Sequence, residues 1–220
     1  MNTPKQFTGA ENHSITTAEA LTFIKYYREH FGADAEPGCF FDKQAVEAII
    51  SQPNAVGLRY YYGADELGMI RLILVGATAN RQDLLDGEAL KLSIMHPPTD
   101  VNGKYDRTAI SHVVSHQHAA EMTTRYRETL LTGQPKGGFF AAKAVQRLLD
   151  EPECHGLRFF YGANREGKRV VVGMCTDRYG AEMLYGHAID ISYLCPPFCG
   201  ARNSLNGGVT FVAEQPLAIK

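Results

Sequence analysis

Cys195 and Cys199 stand four residues apart in the run Cys195-Pro196-Pro197-Phe198-Cys199-Gly200. Thiolates are nucleophiles and soft metal ligands, so such a pair could serve thiol chemistry or hold zinc. The prolines bear against simple chelation, because a residue that precedes proline is held extended. Four polyproline steps separate two Cα atoms by about 12 Å, beyond the roughly 7 Å reach of a disulfide. A turn after Pro197 or a cis proline would bring the sulfurs together; the competing reading is two buried structural cysteines. His112, His116 and His118 form a second cluster. A four-residue spacing stacks His112 and His116 on one helical face, where they could grip Zn²⁺, Ni²⁺ or Cu²⁺. No carboxylate or cysteine at a further position completes that set, and a solvated stretch leading into a helix is the alternative. The metal-ligating candidates are therefore Cys195, Cys199, His112 and His116, with zinc as the metal; no other cofactor is implied.

Arg59 and Arg158 lie inside segments that read as strands apolar on both faces. An unpaired charge buried there would cost several kcal/mol, so each needs a partner. Tyr27-Arg28-Glu29 and Tyr126-Arg127-Glu128 offer one, and Arg59 is expected to pair with Glu29, and Arg158 with Glu128, as clamps between helix and sheet. The functional alternative is a pair of anion-binding arginines facing a groove. The aromatic runs Tyr60-Tyr61-Tyr62 and Phe159-Phe160-Tyr161 could act as stacking platforms, but with no basic groove beside them they read as core and inter-unit contact. Ligand-facing candidates are Arg59, Arg158, Tyr61 and Phe160.

These residues come in pairs because the chain repeats itself. Residues 13–101 align with 112–200 at a constant offset of 99 and without a gap. Gly57-Leu58-Arg59-Tyr60-Tyr61-Tyr62-Gly63-Ala64 returns as Gly156-Leu157-Arg158-Phe159-Phe160-Tyr161-Gly162-Ala163, and Pro97-Pro98 as Pro196-Pro197. A repeat of this length is a copied domain, since stacked arrays have periods of roughly 20–50 residues. Residues 102–111 read as a linker and 201–220 as a C-terminal extension, with a strand expected over 209–213.

Within each unit the pattern is two helices and then about three strands. Thr16 and Glu19 make a capping box, Leu21, Ile24 and Tyr27 share a face, and Gly32 stops the helix. A loop rich in Gly and Pro leads to a second helix from about Asp42, with Ala45, Val46, Ile49 and Ile50 at helical spacing and Pro53 beyond. Strands over 56–62 and 69–77 form a hairpin, and 89–95 closes the unit. The expected fold is α+β: two tandem repeats, each with two helices on a small antiparallel sheet of about three strands, related by a pseudo-two-fold axis.

The run Gly-Leu-Arg-aromatic-aromatic-Tyr-Gly, followed by an apolar strand and Cys195-Pro196-Pro197-Phe198-Cys199-Gly200, resembles a family of small uncharacterised bacterial proteins in which the unit often occurs once. His96-Pro97-Pro98-Thr99-Asp100-Val101 departs from that ending. The resemblance implies the unit boundaries and carries no activity.

A net charge of -2 in 220 residues, with 22 basic and 24 acidic side chains, argues against a nucleic-acid binder. The N-terminus lacks the apolar core of a secretory signal and no stretch approaches the length of a membrane span, so a cytoplasmic protein is expected. Five cysteines that are not repeated between the units exclude a duplicated disulfide framework and fit a reducing compartment. Phosphate-loop, nucleophile-elbow, zincin and dinucleotide signatures are missing. The expected function is therefore a non-catalytic module that binds a partner protein or small ligand at the seam between the units. The alternatives are a metal- or thiol-dependent enzyme centred on Cys195 and Cys199, and a structural subunit of a homo-oligomer.

Overall fold

The computed structural model describes residues 6–85, 90–190 and 192–208. In the first half the elements run β1 (Ser14–Ile15), α1 (Thr17–Phe31), β2 (Gly38–Asp42), α2 (Lys43–Ile50), β3 (Gly57–Ala64), β4 (Ile70–Ala77), β5 (Asp83–Leu84) and β6 (Lys91–Leu92). In the second they run α3 (His116–Glu128), β7 (Gly137–Ala141), α4 (Ala142–Leu149), β8 (Gly156–Ala163), β9 (Arg169–Thr176) and β10 (Ala188–Ile189). The fold is mixed α+β, and both sheets are antiparallel, with strand orders β1-β10-β9-β8-β2 and β5-β4-β3-β7; β6 also pairs with β4.

Local chemistry sets the helices. The Thr16 hydroxyl accepts from the Glu19 amide while the Glu19 carboxylate accepts from the Thr16 amide, and Gly32 ends α1 at φ 108°, where a side chain would be strained. α2 starts on the Asp42 carboxylate, which accepts the Ala45 amide at 2.5 Å. As the counterpart of α1, the helix from His116 is expected to run to about Leu131 and stop at Gly133; α3 ends earlier, at Glu128. The strand expected over 209–213 lies outside the described residues.

The sheets depart from expectation. Gly38–Asp42 and Gly137–Ala141, read as loop, are strands, and each pairs with the hairpin of the other half of the chain. β2 runs antiparallel to β8 from Gly38 opposite Phe160 to Asp42 opposite Gly156. β7 runs antiparallel to β3 from Gly137 opposite Tyr61 to Ala141 opposite Gly57. The leading glycines permit the approach: a Cβ on Gly137 would sit 2.0 Å from the Tyr60 carbonyl oxygen, and one on Gly38 2.3 Å from that of Phe159. The third strand also shrinks. Ile94 leaves β4 and exchanges backbone hydrogen bonds with Phe40 of β2, so the strand is cut to Lys91–Leu92, with the Ser93 amide still donating to the Leu72 carbonyl at 2.9 Å.

Strand alternation then divides the core. Leu58, Tyr60 and Tyr62 of β3 and Leu157, Phe159 and Tyr161 of β8 face a central cluster shared with Val46, Ile49, Val145 and Leu148 of α2 and α4. The outer faces are covered crosswise: Ala119, Ala120 and Met122 of α3 pack on Tyr61, Ile73 and Val75, whereas Ala20 of α1 packs on Val172 and Met174. The first helix of each half thus lies on the hairpin of the other.

An arginine ties the end of the first hairpin to the loop before β2. Arg71 reaches Glu36 at 3.3 Å and Asp65 at 2.9 Å. Burial pushes the Glu36 carboxyl up to about 7, with Arg71 opposing and Asp65 reinforcing the shift. A carboxyl raised in the folded state binds more protons folded than unfolded between about 4.5 and about 7, so its contribution to stability falls as pH rises through that window. Urea unfolding midpoints of Glu36→Gln should therefore vary less with pH over this window than those of the parent.

Candidate functional site

Arg59 points to the outer face of its sheet and does not meet Glu29. Its Nε donates to Asp83 Oδ1 at 2.8 Å and its Nη1 to the Phe198 carbonyl at 3.0 Å. Both charged side chains are fully buried. Asp83 also accepts from Tyr61 Oη at 2.5 Å and from Asn203 Nδ2 at 2.7 Å. Burial, and then the neighbouring Asp83 carboxylate, hold the Tyr61 hydroxyl far above its ordinary pKa, so it stays a donor. The helix expected to clamp Arg59 is elsewhere: α1 lies on β8, and Glu29 is exposed with Lys25 at 3.7 Å.

The equivalent charge in the other half is held differently. Arg158 meets Glu182 rather than Glu128, with Nε 3.5 Å from Oε1, and its Nη1 donates to the Met95 carbonyl at 3.1 Å. Glu182 keeps 35% of its side chain exposed, and where Tyr61 donates to Asp83, Phe160 has no hydroxyl to give. Asp83 and Glu182 are 99 residues apart, so a carboxylate aligned under a carboxylate was a signal for the true partners.

Two segments from the end of the chain seal the first pair. In the loop 195–200, Cys195 and Cys199 form a disulfide with Cα atoms 4.5 Å apart, and both the Cys195-Pro196 and Pro196-Pro197 peptides are cis. Of the two geometries left open by the prolines, this is the cis one, and the bonded sulfurs are not thiolates. Gly200 lies so close over the pair that a Cβ would be 2.6 Å from the Arg81 carbonyl. The chain then crosses α3. Leu205 is fully buried against Tyr61, Val75 and Ala120, its carbonyl accepts from Arg127 Nη1 at 2.6 Å, Lys136 Nζ donates to the Asn206 carbonyl at 3.2 Å, and His116 Nε2 is 2.7 Å from Ser204 Oγ.

His112 is not the solvated residue expected of that stretch: it is 5% exposed, its Nδ1 donates to the Leu92 carbonyl at 2.8 Å, and its Nε2 accepts the Asp42 amide at 3.1 Å. Burial lowers its pKa, which keeps the ring neutral and both nitrogens committed. His112 and His116 do not converge with the cysteines, and among the described residues no three His, Cys, Asp or Glu side chains gather as a metal site would.

Besides a shallow depression of about 240 Å³ beside His112 and Asp42, three larger ones lie at the surface of the described residues. One of about 460 Å³ lies between the end of α2 and α4, lined by Ile50, Ser51, Lys143 and Arg147. A second, of about 580 Å³, holds Glu182, Leu184 and His187. The third, of about 570 Å³, is a largely apolar groove between Leu21, Ile24 and Arg28 of α1 and Phe160, Met174 and Leu184 of the other half. Leu184 belongs to both of the last two, and Leu21 and Leu184 are 53% and 49% exposed. Of the four ligand-facing candidates, Phe160 lines the third of these grooves; Arg59 and Tyr61 are sealed, and Arg158 is 7% exposed behind Glu182.

No family model, curated protein or solved structure matches the chain. The functional reading rests on the geometry above.

Proposed function

We propose that this protein is a non-catalytic binding module whose ligand enters the groove between α1 and the outer face of β8 and β9, at the seam where one half lies on the other. The observation that carries the reading is the groove itself: about 570 Å³, lined from both halves, and edged by exposed leucines. Apolar surface left open in a concave setting with a few polar groups is the usual form of a binding site. The crossed strand pairings, β2 with β8 and β7 with β3, support equivalent roles for the halves and a pseudo-two-fold relation between them.

An environment-sensitive apolar dye of the anilinonaphthalene type provides the test. Its fluorescence should rise saturably on the native protein, and Leu184→Asp should weaken that response at least tenfold while leaving the circular dichroism unchanged. A response that Leu184→Asp leaves intact would place the dye elsewhere and remove the reading.

A further inference from the structure

The open groove has a filled counterpart in the same molecule. At the offset of 99, Leu21, Phe160, Met174 and Leu184 correspond to Ala120, Tyr61, Val75 and Leu85, the residues that enclose Leu205. Arg28 corresponds to Arg127, which holds the Leu205 carbonyl, and Glu182 to Asp83, which accepts from Asn203. The filled groove is thus a worked example of what the open one can bind: an asparagine amide on the acid, a leucine two residues later in the apolar slot, and that leucine's carbonyl on the arginine.

The open groove keeps both anchors. Arg28 is exposed and makes no side-chain hydrogen bond or ion pair among the described residues, and Glu182 lines the depression that continues from the groove through Leu184. Two contacts are not reproduced, because Lys136 corresponds to Pro37, and His116 to Thr17, whose hydroxyl is spent on the Leu184 carbonyl at 3.1 Å. The chain's own matching segment does not fill the slot. The residues at 104 and 106, which match Asn203 and Leu205, are Lys104 and Asp106, and the chain there is drawn away, with the Tyr105 amide donating to the Arg178 carbonyl at 2.8 Å and its ring against Phe40.

Building on the binding-module reading, we infer that the groove between α1 and β8–β9 recognises a short peptide segment of a partner protein with the pattern Asn-x-Leu. The asparagine side chain donates to Glu182, the leucine enters the slot between Leu21, Phe160 and Met174, and Arg28 takes the leucine carbonyl. Leu21 and Met174, in place of Ala120 and Val75, make the slot more apolar than its filled counterpart, which favours an aliphatic side chain there.

The probe is a fluorescent peptide with the sequence of residues 201–208, titrated into the full-length protein and followed by anisotropy. Saturable one-to-one binding is expected, weakened at least tenfold by Arg28→Ala and by replacing the peptide's leucine with alanine, and unaffected by Arg127→Ala. Both arginine sites are on helix surfaces, and circular dichroism confirms that the variants fold. Absence of saturable binding overturns the proposal, as does binding lost with Arg127→Ala and kept with Arg28→Ala, which would mean exchange with the docked tail. The dye response separates the two levels: if the peptide fails while the dye still reports a site sensitive to Leu184→Asp, the groove stands and the Asn-x-Leu assignment falls; if both fail, the module reading falls too.

Discussion

Asp83→Ala should destabilise the protein by about 3–5 kcal/mol, the cost of leaving a buried charge without its partner. Arg59 has no route to water: its side chain and that of Asp83 are both fully buried. The loss spreads further, because Tyr61 and Asn203 donate to the same carboxylate: the Tyr61 hydroxyl would be left without its acceptor, and Asn203 would keep only the Ala201 carbonyl, at 3.2 Å. Release of Asn203 also loosens the tail segment that carries Leu205. The matched substitution Glu182→Ala should cost no more than about 1 kcal/mol, since that carboxylate is part-exposed and solvent can replace it. Urea unfolding of the two variants beside the parent measures both values, and a similar small loss for each would show that burial of the first pair had been misjudged.

The second large effect concerns the halves. Neither residues 1–105 nor residues 106–220 should form a folded monomer alone. In the intact chain β2 completes the sheet of β8, and β7 that of β3, so each fragment loses the partner of its crossing strand as well as the helix over the outer face of its hairpin. Leu58, Tyr60 and Tyr62 would keep α2 but lose the other half of the cluster that covers them, and Leu157, Phe159 and Tyr161 would keep only α4. Mixed together, the fragments should recover a one-to-one folded complex; either fragment alone folds only by self-association, because the crossing strands and hairpins are alike enough to pair with their own kind. Sedimentation with circular dichroism at low concentration checks this, and a cooperative folded monomer from either half would contradict the exchanged topology.

The helices and hairpins were legible because their signals are local. The Thr16–Glu19 box, the apolar faces of α1 and α2, and the β-branched and aromatic runs ending in glycine-rich turns each act within a few residues. The exchange was not legible for two reasons. Phe40-Phe41 and Phe139-Phe140 sit in five-residue strands preceded by Gly and Pro, a pattern that reads as loop. Moreover, a duplicated sequence makes pairing within a half and pairing across halves nearly identical in local chemistry, so the choice rests on chain connection and global packing. The misplaced arginine clamps follow from that ambiguity: with each first helix on its own hairpin, Glu29 would approach Arg59, but with the helices crossed it lies beside Phe160. The tail was invisible for a different reason, since Asn203-Ser204-Leu205-Asn206 has one apolar residue and no periodicity, and its meaning comes from the groove it fills.

The central claim is that one outer groove is filled by the chain's own Leu205 while its counterpart is open to a partner. It is tested most directly by methyl chemical shifts of the isotope-labelled protein on addition of the 201–208 peptide. The prediction is perturbation of the Leu21, Ile24, Met174 and Leu184 methyls with those of Val75, Ala120 and Leu205 unmoved; perturbation of the second set alone, or of neither, would contradict it.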